Sequence, residues 1–215
     1  MLKLYGLLAR RPDLSLEEFS QHWRTVHREL ALRLVAPGYM RGYVQNHRRE
    51  TALPGVAAPF DGCPELWIDT VESLPALATS PEYLEGAGPD EANFMAGSSK
   101  SCIAQPRFAC GAPRGQTGPC KVLMFYADGI DAATPWSQAR PWSLPDASAL
   151  RIERDACLVD VPGLEPYVAI ESSWWRDADG FRDAWLAAAR DGGRLAPALV
   201  LPVTELIVFL PAGIA

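Results

Sequence analysis

The 215-residue chain holds three histidines, His22, His27 and His47, the side chains that titrate nearest neutral pH and most often act as general acid or base. His47 ends a stretch with the alternation of a strand: Tyr39, Arg41, Tyr43, Gln45 and His47 fall on one face, Met40, Gly42, Val44 and Asn46 on the other. Side chains on one strand face stand roughly 7 Å apart, close enough for an acid/base, a phenol, an amide and a cation to surround one small molecule. Such a polar face could also simply reach solvent. Glu65 in a later apolar run could orient a histidine or act as a second base, or be a rim carboxylate paired with an arginine. Trp67, Trp174, Trp175 and Tyr126 are large flat groups that could wall a cavity for an aromatic substrate or fill the core.

A helix must position His27. Ser15 with Glu18 three residues on is a capping-box pair, and Leu16, Phe19, Trp23, Val26, Leu30 and Leu34 follow with helical spacing to about Val35, where Pro37 and Gly38 stop the run. At roughly 100° per residue, His27 falls about 50° from the centre of this apolar stripe, beside Trp23 and Leu30, with His22 farther out on the opposite shoulder. His27 and His47 are therefore expected to border one enclosed cavity with Tyr43 and Trp67, provided that the sheet does not separate them. A hydrogen-bonded core histidine is the alternative for His27.

The rest of the chain supplies a scaffold of strands and helices. Residues 2–9 read as a first strand, 39–47 as a second, 65–70 as a third and 101–109 as a fourth, with a second helical region over 73–85 broken by Pro75 and Pro81. The order β-α-β-β-α-β is that of a ferredoxin-like unit. Residues 111–119 are rich in Gly and Pro and read as a linker, after which strands recur at 121–127, 150–161, 167–175 and 203–210, with a helix over 179–189. Residues 128–147, where the second unit's first helix would stand, carry Gly129, Pro135, Pro141 and Pro145 and are expected to lack a long helix. The expected fold is α+β: a unit over 1–110 carrying the site, a linker over 111–119 and a degenerate unit over 120–215, folded together as a single-chain pseudo-dimer, with a homodimer possible.

Phe19, His22-Trp23-Arg24-Thr25-Val26-His27, Leu30-Ala31 and Tyr43-Val44-Gln45-Asn46-His47, with Glu65-Leu66-Trp67 and the later Asp90-Glu91 and Phe94, resemble the EthD-like proteins of the dimeric α/β-barrel superfamily. The resemblance spans residues 2–108. The second half matches only in the order of its elements and has no histidine. The resemblance implies a barrel fold and a choice of activities: cofactor-free dehydratases, decarboxylases and cyclases, isomerases, cofactor-free oxygenases and haem enzymes. Fold alone does not choose among them.

Taken together, these residues favour a cofactor-independent lyase or cyclase that removes a proton next to a carbonyl of a hydrophobic oxygenated molecule. His27 and His47 are the acid/base candidates, Tyr43 and Arg41 the stabilisers of an enolate oxygen, and Gln45, Trp23, Glu65 and Trp67 the other binding groups. The alternatives are a cofactor-free or haem-dependent oxygenase and a non-catalytic carrier of an apolar metabolite.

Composition narrows the field further. The net charge of −6 and the lack of a Lys/Arg stripe with interleaved aromatics argue against a nucleic-acid surface. No run of about 18 apolar residues and no secretory leader pattern appear, so a cytoplasmic protein without membrane contact is expected. The five cysteines form no Cys-x-x-Cys pair and read as reduced packing residues, and no metal or nucleotide motif is found. Residues 1–50 carry nine Lys/Arg against five Asp/Glu, whereas 51–99 carry eight Asp/Glu and no Lys or Arg, so the two segments are expected to lie against each other or to be solvated.

Overall fold

The computed structural model describes residues 1–51, 53, 56, 57, 59–97, 99–128, 149–159, 161–190 and 197–210. Eight antiparallel strands close into a barrel: β1 (Leu2–Leu7), β2 (Gly42–Arg48), β3 (Gly62–Ile68), β4 (Lys100–Gly111), β5 (Cys120–Tyr126), β6 (Arg151–Cys157), β7 (Ala169–Trp174) and β8 (Leu199–Phe209). Around the barrel they run β1-β3-β2-β8-β5-β7-β6-β4. The first four strands thus stand in the order 4-1-3-2, and the last four repeat it, with seams at β2–β8 and β4–β6.

Strand alternation sends odd residues of β1 inward and even ones outward. The interior of an eight-stranded barrel is just wide enough for side chains to fill. Part of it is apolar, built by Tyr5, Leu7, Leu123, Phe125, Ile170 and Leu201. The remainder is ionic, with Lys3, Glu65, Lys121, Glu153, Asp155 and Glu205 all buried.

A helical layer covers the outer face of β1, β3 and β2. The Ser15–Glu18 box caps α1 (Leu16–His22), each side chain bonded to the other residue's backbone N–H. The helix does not run on regularly to Val35. A π turn occupies Trp23–His27 before α2 (Arg28–Leu32). The wider turn inserts extra backbone and rotates side chains off a 3.6-residue stripe: Trp23 and His27 are both buried, while Val26, which the spacing places on the apolar face, is 49% exposed. Across from it, α3 (Ser73–Ala78), a second π turn (Tyr83–Ala87) and α4 (Gly88–Phe94) form the other wall. In the second half, α5 (Ala178–Arg190) packs Phe181 and Ala184 on Trp175, Tyr126 and Val122.

Within the segment 111–119, Gly111 ends β4, and Arg114 and Thr117 are buried. Most of the helix-poor segment expected at 128–147 lies outside the described residues. The basic and acidic segments do meet, through Arg48 Nη2 and Asp61 Oδ1 at 2.9 Å and Arg41 Nη2 and Asp69 Oδ2 at 2.7 Å. The five cysteines are free, with Cys63, Cys102 and Cys120 buried. Among the described residues no helix is long and apolar enough to cross a membrane, and no cluster of His, Cys, Asp and Glu is placed to hold a metal.

Candidate functional site

A cavity of about 240 Å³ separates the outer face of the first-half strands from the helical layer. Its floor comes from the outward residues of β1 and β3: Leu4, Gly6, Leu8, Pro64 and Leu66. Its walls are mainly apolar, and few side chains bring ionisable groups to it: His27, Tyr43, Tyr83 and Glu91. A mostly apolar hollow with a few convergent polar groups is the usual form of a small-molecule site.

His27 comes from the first π turn and is held from the opposite wall. Its Nδ1 lies 3.0 Å from Asp90 Oδ2, and the same carboxylate takes His22 Nε2 at 2.9 Å and the amide N–H of Asn93 at 3.0 Å. Asp90 can only accept when ionised, so His27 presents Nδ1–H to it and keeps Nε2 bare. Among the described residues nothing bonds to that Nε2. Burial pulls the His27 pKa below 6.5 against the opposing effect of Asp90, and the nearby His22 adds to the lowering. Burial would push Asp90 up, but its bonds from Asn93, His22 and His27 outweigh this and hold it below 3.8. At neutral pH the pair is a neutral imidazole oriented by a carboxylate, with a basic nitrogen left over.

Residues 11–98 match the model of the EthD domain. The chain contains an EthD domain. Every ionisable group that lines the cavity falls within it. Among solved structures, an anthrone oxidase-like protein is 11% identical with a TM-score of 0.55, covering 96% of this chain and 93% of its own. A protein of Lactobacillus acidophilus NCFM, provisionally assigned as a monooxygenase, is 9% identical with a TM-score of 0.51, covering 99% and 96%. An EthD family protein of Bacillus halodurans is 23% identical with a TM-score of 0.38, covering 49% of this chain and 97% of its own. The first two share the fold over nearly the whole chain. No curated protein matches.

On β2 of the EthD domain, Tyr43, Gln45 and His47 share the helix-facing side. The Tyr43 hydroxyl accepts from Trp23 Nε1–H at 2.9 Å and from Gln45 Nε2–H at 2.8 Å. Burial raises its pKa, so it stays a phenol. Trp23 lies against Gly62, where a Cβ would come within 2.5 Å of the indole. Glu91 accepts from the Tyr83 hydroxyl at 3.1 Å, and burial raises its carboxyl above 4.5. Burial and Glu91 together push the Tyr83 phenol up to about 12.

The cavity does not unite all the residues expected there. It brings His27, Tyr43 and Trp23 together but not His47, which stands behind the Trp23 indole with ring centroids 4.4 Å apart. His47 and Gln45 bond to each other, Nε2 to Oε1 at 3.0 Å, rather than lining the hollow. The two histidines are thus on one side of the sheet but are separated by Trp23. Arg41 precedes β2, is exposed, and is taken up by Asp69. Glu65 and Trp67 alternate to the barrel interior, on the other side of the sheet from the cavity. There Glu65 is bound by Arg114, Lys121 and Asn46, and Trp67 stacks under Lys3 and Arg114. Burial would raise Glu65, yet Arg114, Lys121 and Lys3 prevail and hold it at about 2. Trp174 faces Lys121 and Arg114 in the same interior, while Trp175 and Tyr126 belong to the second-half core.

Sequence patterns give no role to Asp90, Glu91 or Tyr83, although Asp90 and Glu91 belong to the residues that resemble the EthD-like proteins. Arg114 carries no sequence signal either, because Gly- and Pro-rich composition marks a loop but not the direction of its one long cation.

Proposed function

We propose that the protein is an enzyme that uses His27 Nε2 to remove a proton next to a carbonyl of a small, largely apolar oxygenated molecule. The observation that carries this reading is the bare His27 nitrogen, fixed through Nδ1 by Asp90 and bordering an apolar cavity. The carbon's proton passes to Nε2, the electron pair moves into the carbonyl as an enolate, and the Tyr43 O–H donates to the oxygen that gains charge. The proton taken up by Nε2 then returns to a departing hydroxyl, which leaves as water. Ring closure starts from the same enolate, and loss of carbon dioxide from a β-keto acid arrives at it, the breaking C–C bond supplying the electron pair. The reading is thus a lyase or cyclase whose first step needs only side chains.

A second reading shares that step. An enolate in an apolar cavity that reacted with dioxygen would make the protein an oxygenase, and the fold shared with the anthrone oxidase-like protein supports keeping it. A haem does not fit the cavity beside His27, which is smaller than the roughly 300–1,000 Å³ of sites for drug-sized ligands.

The repeated 4-1-3-2 strand order supports the division into two ferredoxin-like units, 1–110 and 120–215, that close one pseudo-dimeric barrel. In this arrangement the second unit completes the barrel and the first holds the site.

The test is proton exchange in D₂O on two aryl ketones, 1-tetralone and anthrone, followed by proton NMR. Wild type should speed loss of the hydrogen next to the carbonyl of tetralone, or at C10 of anthrone, and Asp90→Asn should slow that loss by about 100-fold or more. Equal rates for wild type, Asp90→Asn and buffer with both ketones would overturn the reading. Uptake of oxygen with formation of anthraquinone and water from anthrone would select the oxygenase; its absence, with exchange present, would select the lyase or cyclase.

A further inference from the structure

His47 is the one buried histidine that the proposed chemistry does not use; the Gln45 side fixes its tautomer, and the Ser20 side is compatible with it. On one side, the Arg24 guanidinium can only donate, and its Nη2 gives a bond of 2.8 Å to Ser20 Oγ. Ser20 is then free to donate its own hydrogen to His47 Nδ1, 2.6 Å away. On the other side, Gln45 Nε2 lies 2.9 Å from the main-chain carbonyl oxygen of Trp23, which can only accept, so this end of the amide is the NH₂. The amide oxygen therefore faces His47 Nε2, which must carry the hydrogen of their 3.0 Å bond. The two ends agree on one form: Nδ1 bare and Nε2–H.

The direction set at His47 continues to the cavity. The second amide hydrogen of Gln45 goes to Tyr43 Oη, which also accepts from Trp23 Nε1–H. Two donors fill the oxygen's two lone pairs. The phenol's own hydrogen has no acceptor among the described residues, and Tyr43 borders the cavity.

We propose that Arg24, Ser20, His47 and Gln45 form a one-way chain of donors that keeps the Tyr43 hydroxyl hydrogen turned to the cavity. Tyr43 is thereby a dedicated donor, and the site selects molecules that place a carbonyl or anionic oxygen beside it. His47 is a positioning residue. In the opposite tautomer His47 would donate from Nδ1, Gln45 would rotate, and two acceptor oxygens would face each other at the Trp23 carbonyl. Tyr43 would then spend its hydrogen on the Gln45 oxygen, leaving the cavity without a donor. Bonds in a chain with all donors aligned also polarise one another, which strengthens the last one.

The donor chain is a property of the unliganded protein; only its use on an enolate rests on the function proposed above. The experiment is long-range proton–nitrogen NMR of the full chain with ¹⁵N-histidine at neutral pH, the His47 signals being assigned by their loss in His47→Phe. The expected result is a protonated Nε2 and a bare Nδ1 on a neutral His47 ring. A protonated Nδ1 or a charged ring overturns the chain, whatever the protein does to ketones. The second readout is 1-tetralone exchange: His47→Phe should lower kcat by about 10- to 100-fold, and His47→Gln, which restores an N–H toward Gln45, should recover most of it. Equal loss in both variants, with unchanged circular dichroism, would also overturn the positioning role. The expected tautomer together with no exchange by wild type would sink the proposed function and leave the donor chain standing.

Discussion

Asp90 stands between two histidines, 3.0 Å from His27 Nδ1 and 2.9 Å from His22 Nε2, yet only His27 lines the cavity. His22 is stacked on Phe94 and shares the carboxylate from the rim. One acid residue therefore fixes the tautomer of the inner histidine, while His22 and the Asn93 amide also bond to the same carboxylate.

The barrel interior is held by paired charges whose removal is costly. Arg114 meets Glu65, Glu205 and Glu153 at 2.6, 2.8 and 3.4 Å with no exposed side-chain surface of its own. Arg114→Ala leaves buried carboxylates short of a cation and should cost about 3–5 kcal/mol in urea unfolding. Arg41→Ala, which removes an exposed pair with Asp69, should leave both the urea midpoint and the exchange rate unchanged. A slower rate in Arg41→Ala would restore Arg41 to the site.

Stability should fall with acid through His47. Burial, then the charge of Arg24, lowers its pKa from 6.5 to about 3. Because the unfolded chain binds this proton first, stabilisation is complete above about 6.5 and is lost as pH falls toward 3. At roughly 1.4 kcal/mol per unit the loss reaches several kcal/mol at most. His47→Phe should flatten that part of the urea stability profile between pH 6.5 and 4; an unaltered slope would show that other groups set it.

Gly62 makes room for the indole that carries Tyr43's second donor. Gly62→Ala brings a Cβ within 2.5 Å of Trp23 and should cost about 1–3 kcal/mol through overpacking, measured by urea unfolding. Exchange should slow as well, since the indole N–H must move from Tyr43. Wild-type stability would mean that Trp23 relaxes freely.

Local signals in the sequence were carried into the fold, and non-local ones were not. The period-2 run correctly put Tyr43, Gln45 and His47 on one face, and the Ser15–Glu18 pair marked the start of α1. Helical spacing misjudged Val26, because a π turn changes the angle per residue without a composition signal of its own. Strand alternation also separated Glu65 and Trp67 from the cavity, but which side of β3 faced the helices depended on closure of the barrel. The Asp90–His27 contact joins residues 63 positions apart, and no spacing rule reaches that far.

The pH dependence of exchange, measured on the same sample as the NMR titration of His27, tests the central claim most directly. A base must be deprotonated to act, so the rate should rise with pH along a limb whose midpoint lies below 6.5 and matches the His27 midpoint. Asp90 raises that pKa, so Asp90→Asn should move both midpoints down together. A limb that follows His22 instead, or that stays in place while the His27 titration moves, would contradict the assignment of His27 as the base.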